Sequence, residues 1–273
     1  SLNTGSVSAA DVCLSQSDAG PAVCYSGDTV LPGIPSPAAP VVLTTFGVAG
    51  SQTGKLLPTG RAVDRFHLGG GLGEVALTVV DFARVLLIFD ANEILPKFGY
   101  ESWAEATTER IETDTGLNAA LDHVRCAVSK AIGMGDGVGK DAPKVALLAA
   151  CDDHPEPADG AVRAALACRY WVNPERCEVH PTLAMTAAQA IGAACLLEGS
   201  VARAALSCIP AADEDDPTTF SFRIAHPKGM LPVTIGTVAP DDEAVARIFP
   251  QGLPNSGKYC TTVLPLAEGR AFL

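Results

Sequence analysis

Gly50-Ser51-Gln52-Thr53-Gly54-Lys55-Leu56-Leu57-Pro58-Thr59-Gly60-Arg61-Ala62-Val63-Asp64 is the run around which the chain is organised. Its fifteen positions hold three glycines, three small hydroxyl residues, one lysine and one proline. Apolar β-type runs flank it, Val41–Phe46 before and Val75–Val80 after. Glycine lets a backbone take positive φ and approach another surface closely. Ser and Thr hydroxyls with unpaired amides can hold an anion in such a turn. The residues alone leave two readings open, an anion-holding turn or a connection without chemistry. A phosphate loop is excluded, because Lys55 is followed by Leu56 and the preceding glycine spacing is wrong.

Working outward, the 273 residues suffice for one large or two modest domains. Apolar residues make up 48%, which marks a globular chain, and aromatics only 5%, so the core must be built from small aliphatic side chains. A formal net charge of −12 argues against nucleic acid or an anionic membrane as partner, since both require a basic footprint. It does not argue against a small anionic substrate, which helix N-termini can hold. Nine cysteines at irregular spacing, without C-x-x-C, fit a reduced cytoplasmic protein better than a disulfide scaffold. No run has the length of a membrane span.

Along the chain, Ser8–Leu14 and Ala22–Tyr25 read as strands, and Gly33–Pro40 as a loop. Gly69–Gly73 reads as a turn between strands. Val75–Val80 and Val85–Phe89 read as strands with a bend at Asp81. Thr115 is placed to cap an amphipathic helix carrying Leu117, Leu121, Val124 and Val128 at helical spacing. Lys144–Ala150 reads as a buried strand. Thr182–Leu197 is small or apolar almost all round, as a central helix must be. Phe220–Ile224, the turn His226–Gly229 and Leu231–Ile235 form a hairpin. Asp241–Phe249 is a short helix or loop, and Thr261–Leu264 closes the β-structure. His154 beside Asp152 and Asp153 suggests a metal cluster, but nothing at ligand spacing supports it.

These motifs carry a resemblance. Ser51–Gly60 with Asp64 and Val79-Val80-Asp81 resembles the central signature of the methylaconitate isomerase (PrpF) family, distant relatives of diaminopimelate epimerase. Further similarities follow in family order: Pro32–Pro35 with Ala38–Pro40, Ala142–Ala146, His180 followed by Thr186, Phe222–Gly229 and Leu266–Ala271. The family's N-terminal Gly-Gly-Thr-Ser-Lys-type loop and Asn-Cys-Gly-Asn-type helix start do not occur here.

The resemblance implies an α+β fold, diaminopimelate-epimerase-like, with curved, mostly antiparallel sheets wrapped around central helices. It implies two similar domains, the first incomplete in this chain. Residues 1–64 would be the last part of the first domain and the interdomain connection. Residues 65–240 would be the second domain, and 241–273 a C-terminal segment returning to the first. The implied activity is cofactor-independent isomerisation of unsaturated di- or tricarboxylates, aconitate- or methylaconitate-like, without metal. The family's acid–base groups belong to the N-terminal motifs, so no catalytic residue is assigned here. The expected partners are a small carboxylate substrate and an N-terminal polypeptide completing the fold, with a homodimer left open. His180, Met185, Thr186 and Ala187 would form one wall of the cleft, with Ser51, Thr53 and Lys55 as a second set. The epimerase's catalytic cysteine is absent from Ala184–Ala187, and the family's T-G-A reads Thr186-Ala187-Ala188, which would put a methyl group near a bound carboxylate. The rival readings are a non-catalytic ligand-binding or assembly protein, and a metal hydrolase built on His154, His180 and His226.

Overall fold

The computed structural model describes residues 7–17, 20–31, 36–139, 142–151, 164–207 and 212–262. Thirteen strands fall in the order β1 (Val7–Val12), β2 (Leu14–Ser17), β3 (Gly20–Val23), β4 (Pro40–Phe46), β5 (Asp64–His67), β6 (Glu74–Asp81), β7 (Val85–Asp90), β8 (Lys144–Ala149), β9 (Leu166–Asn173), β10 (Glu178–Val179), β11 (Thr219–His226), β12 (Gly229–Val238) and β13 (Leu253–Thr262). The helices are α1 (Ala91–Ile94), α2 (Thr108–Thr113), α3 (Thr115–Ala131), α4 (Met185–Cys195), α5 (Val201–Ala204) and α6 (Glu243–Ile248). One large sheet runs β1-β4-β13-β12-β11-β9-β8-β7-β6-β5, with β10 paired to β9 and β2–β3 forming a separate hairpin.

Only β7–β8 and β9–β11 pair in parallel. Parallel neighbours need a crossover, and both crossovers carry helices. The first carries α1 to α3 and covers one face of the sheet; the second carries α4 and α5 and covers the other. This is why β7 and β8 are apolar without alternation: Leu87, Phe89, Val145 and Leu147 pack under α3, and Leu86, Ile88, Ala146 and Leu148 pack under α4.

The amphipathic helix expected near Leu117–Ile132 is α3. Its cap is Asp114, whose carboxylate accepts from the Leu117 amide at 2.9 Å; Thr115 is the first helical residue and not the cap. Asn118 fixes α3 to the sheet by accepting from the buried Trp171 indole at 2.7 Å and donating to the Ile111 carbonyl at 2.7 Å. The expected central helix is α4, shorter than the Thr182–Leu197 reading. All nine residues from Ala187 to Cys195 are buried. The sheet bends around it, with Phe222, Ile224, Val233 and Ile235 from β11 and β12 closing the same core. Gln189 ties α4 to the far strands: its amide donates to the Gly257 carbonyl at 3.3 Å and accepts from the Thr45 hydroxyl at 3.2 Å.

β13 pairs with β4 on one side and β12 on the other, so a single sheet joins elements from all three expected segments. At this end cover is thin. β1 is exposed along its whole length, and β4 is only half-buried. Val7, Val12 and Phe46 are exposed.

Among the described residues every cysteine is free. No helix there is long and apolar enough to cross a membrane. His154 lies outside the described residues, as do Pro32–Pro35 and Leu266–Ala271. Among those described, no group of three His, Cys, Asp or Glu side chains could hold a metal ion.

Candidate functional site

The inner face of three adjacent strands meets the start of α4 at one end of the sheet. Leu86 opposes Lys144 in register, and Ala146 opposes Tyr170. Arg84 just before β7, Lys144 at the head of β8 and Tyr170 near the end of β9 therefore arrive side by side. With Ala184 and Thr186 of the helix start they line an open cavity of about 600 Å³. Glu175, Arg176 and Glu178 stand at its other side. Three cations and two carboxylates thus line the cavity, a local positive balance in a protein of net charge −12.

Helix α4 begins without a side-chain cap. The N-cap is Ala184, in extended backbone, and no side chain accepts from the first turn. Thr182, two residues ahead of the N-cap, instead turns back. Its amide donates to His180 Nδ1 at 3.1 Å, and its hydroxyl lies 3.1 Å from the same nitrogen. First-turn amides carry a partial positive charge and need acceptors. Thr186 is exposed beside them.

Tyr170 is buried, and burial pushes its hydroxyl up to about 12 against the lowering pull of Arg84. It is therefore a proton-bearing donor at neutral pH. His180 leans on it, with ring centroids 6.1 Å apart and the His180 amide bonded to the Tyr170 carbonyl at 2.7 Å. Burial pushes His180 below the usual imidazole range. His226, at the end of β11, is only 4% exposed. Burial first, then the charges of His180 and Arg169, push it down to about 4. Its Nδ1 accepts from the Lys228 amide at 3.2 Å, so the neutral ring carries its proton on Nε2.

Of the residues singled out in the sequence, Thr186 lines the cavity and His180 supports its wall. Met185 is the half-buried first residue of α4. Ala187 is fully buried in the core and does not line the cavity. The second set lies elsewhere. Lys55 is exposed. Ser51 and Thr53 hold an anion, but it is the chain's own Asp81, which is completely buried. Asp81 Oδ2 accepts from the Gln52 amide at 2.9 Å, the Thr53 amide at 2.6 Å and the Thr53 hydroxyl at 2.8 Å. The Ser51 hydroxyl lies 3.4 Å from Oδ1. Gly50, at φ +67°, makes the turn; a Cβ there would sit 2.6 Å from the Lys55 amide nitrogen. Sequence reasoning missed Arg84, Lys144 and Tyr170, because only strand register brings them together.

The chain is 34% identical over 240 residues to the putative isomerase YbhH of Escherichia coli K12, covering 88% of this chain and 58% of that protein. It is 30% identical over 233 residues to the 4-oxalomesaconate tautomerase of Pseudomonas putida, covering 85% and 55%. The crystal structure of a methylitaconate-delta-isomerase superposes with a TM-score of 0.67 at 25% identity, covering 96% of this chain and 62% of that one. The chain therefore spans a little over half the length of the relatives it matches. The fold is α+β and diaminopimelate-epimerase-like. A family model described as PrpF protein matches residues 1–249, and the chain belongs to the PrpF family.

Proposed function

We propose that this chain carries one wall of the active site of a cofactor-independent isomerase acting on unsaturated di- or tricarboxylates. The observation that carries the reading is the uncapped start of α4 opening into a cavity lined by Arg84, Lys144 and Tyr170. Relatives named for oxalomesaconate and methylitaconate give the chemical class. Aconitate and methylaconitate belong to the same class and are included in it.

The reaction removes a proton next to or vinylogous to a carboxylate and returns one at another carbon. The intermediate is an enolate dianion, and its charge must be met by groups already in place. The first-turn amides of α4, with the Thr186 hydroxyl, supply neutral donors that cost no reorganisation. Tyr170 and neutral His180 add protonated but uncharged groups beside the Arg84 and Lys144 cations. The acid–base pair that moves the proton is assigned to the part of the family's length that this chain does not span.

Turnover tests the reading. The protein is incubated in D₂O with 4-oxalomesaconate, 3-methylitaconate and cis- and trans-aconitate, with and without the remaining family segment supplied in trans. Proton NMR follows deuterium incorporation and double-bond movement. Isomerisation of at least one acid with deuterium at the allylic carbon is expected. Binding without exchange under both conditions would leave a ligand-binding protein and overturn the reading.

A further inference from the structure

The run Val48–Thr53 does more than bury Asp81. It grips the whole β6–β7 turn that delivers Arg84 to the cavity. The Ala83 amide donates to the Val48 carbonyl at 2.9 Å. The Val85 amide donates to the Gln52 side-chain carbonyl at 2.8 Å, and the Gly50 amide to the Asp81 carbonyl at 2.8 Å. Within the turn the Phe82 amide donates to the Arg84 carbonyl at 3.2 Å. Ala83 sits at φ +62°, a left-handed conformation that a side chain other than glycine's rarely takes. Such a geometry persists only when its surroundings over-determine it, and here they do.

Fixed at both sides, Arg84 is half-buried and lines the cavity with Tyr170 and Lys144, two residues before the Leu86 that pairs with Lys144. We propose that Arg84 is the specificity-determining residue of this site, pairing with a second carboxylate of a substrate whose first carboxylate lies at the start of α4. The inference rests on reading the cavity as the substrate site. A planar guanidinium matches a carboxylate with two parallel donors, which a lysine cannot do. A monocarboxylate would occupy the α4 end and gain nothing from Arg84. The turn and the glycine-rich run then serve one purpose, holding that guanidinium at a fixed distance from the helix start.

Calorimetry on the full chain tests this, with tricarballylate as polycarboxylate probe and crotonate as monocarboxylate probe. Arg84→Gln is expected to weaken tricarballylate at least tenfold while changing crotonate less than threefold. Arg84→Lys recovers part of the loss but not the bidentate share. Gln52→Leu, which frees the Val85 amide, moves tricarballylate in the same direction by a smaller factor. Thermal melts of each variant establish that it is folded before binding is read. Equal weakening of both probes in folded Arg84→Gln, or no weakening of either, overturns Arg84 as the selector while leaving the cavity as a carboxylate site. Failure of wild-type protein to bind either probe overturns the cavity reading itself.

Discussion

Thr53 donates twice to one oxygen of Asp81, from its amide at 2.6 Å and from its hydroxyl at 2.8 Å, across 28 residues of chain. A buried carboxylate is costly unless its lone pairs are satisfied. Here the loop satisfies them. Asp81→Ala removes the acceptor and leaves several donors unpaired, at about 3–5 kcal/mol of stability. Thr53→Val deletes only the hydroxyl and should cost about 1 kcal/mol. Urea denaturation of both variants checks the order. Equal small losses would mean that the loop is held by something else.

Ile191 lies in the middle of α4 and is completely buried in the core that joins α4 and α5 to β6–β9 and β11–β12. Ile191→Asp places a carboxylate there without a partner. The cost is several kcal/mol, comparable with the stability of the whole domain. Loss of cooperative unfolding by circular dichroism is expected. Val138→Asp, at a residue 75% exposed, is the control and should melt as wild type does.

Stability should fall on mild acidification because of His226. Its folded-state value is pushed down to about 4 from the ordinary imidazole value. Between about 6.5 and 4 the unfolded chain binds a proton that the folded chain refuses. The contribution is fully present above about 6.5 and is lost as pH falls through 4. The shift corresponds to about 3 kcal/mol. Melting temperatures measured from pH 7.5 to 4 should fall, and His226→Gln should flatten the fall. Parallel curves for the two proteins would remove His226 as the cause.

How much of this was legible in the sequence depends on the kind of signal each element carries. Helix α3 announces itself because Leu117, Leu121, Val124 and Val128 fall on one stripe facing the sheet. Helix α4 is legible for the opposite reason: it has no polar stripe, since the sheet wraps it. Strand β13 was largely missed. It reads Leu-Pro-Asn-Ser-Gly-Lys-Tyr-Cys-Thr-Thr, which lacks both alternation and β-branched density. Its Gly257 answers to packing instead, because a Cβ there would lie 2.6 Å from Gln189 Cδ. Within the site, Thr186 could be found from the helix start. Arg84, Lys144 and Tyr170 could not, since 60 residues separate the first two and no spacing rule connects them. The hydroxyls of Ser51 and Thr53 left an anion-holding turn open as one of two readings, and only the coordinates show them bonded to Asp81.

Thr186 offers the most direct test of where charge develops during turnover. It is the second residue of α4, exposed on the cavity, two positions after an N-cap, Ala184, that offers no side-chain acceptor. Replacing it with valine keeps the branched shape and the helical χ1 preference, and removes only the hydroxyl. Because the residue is exposed, little stability is at stake, within about 0.5 kcal/mol. If the hydroxyl donates to a carboxylate that gains charge in the transition state, kcat/KM should fall by about one to two kcal/mol, roughly 5- to 30-fold. The division between kcat and KM carries the mechanism. A fall in kcat at unchanged KM places the hydroxyl on the developing enolate, whereas a rise in KM alone places it on a carboxylate that keeps its charge throughout. Steady-state kinetics of Thr186→Val, on protein supplied with the remaining family segment if turnover requires it, separates these cases. An unaffected kcat/KM would take Thr186 off the substrate and leave the first-turn amides of α4 as the donors on that wall.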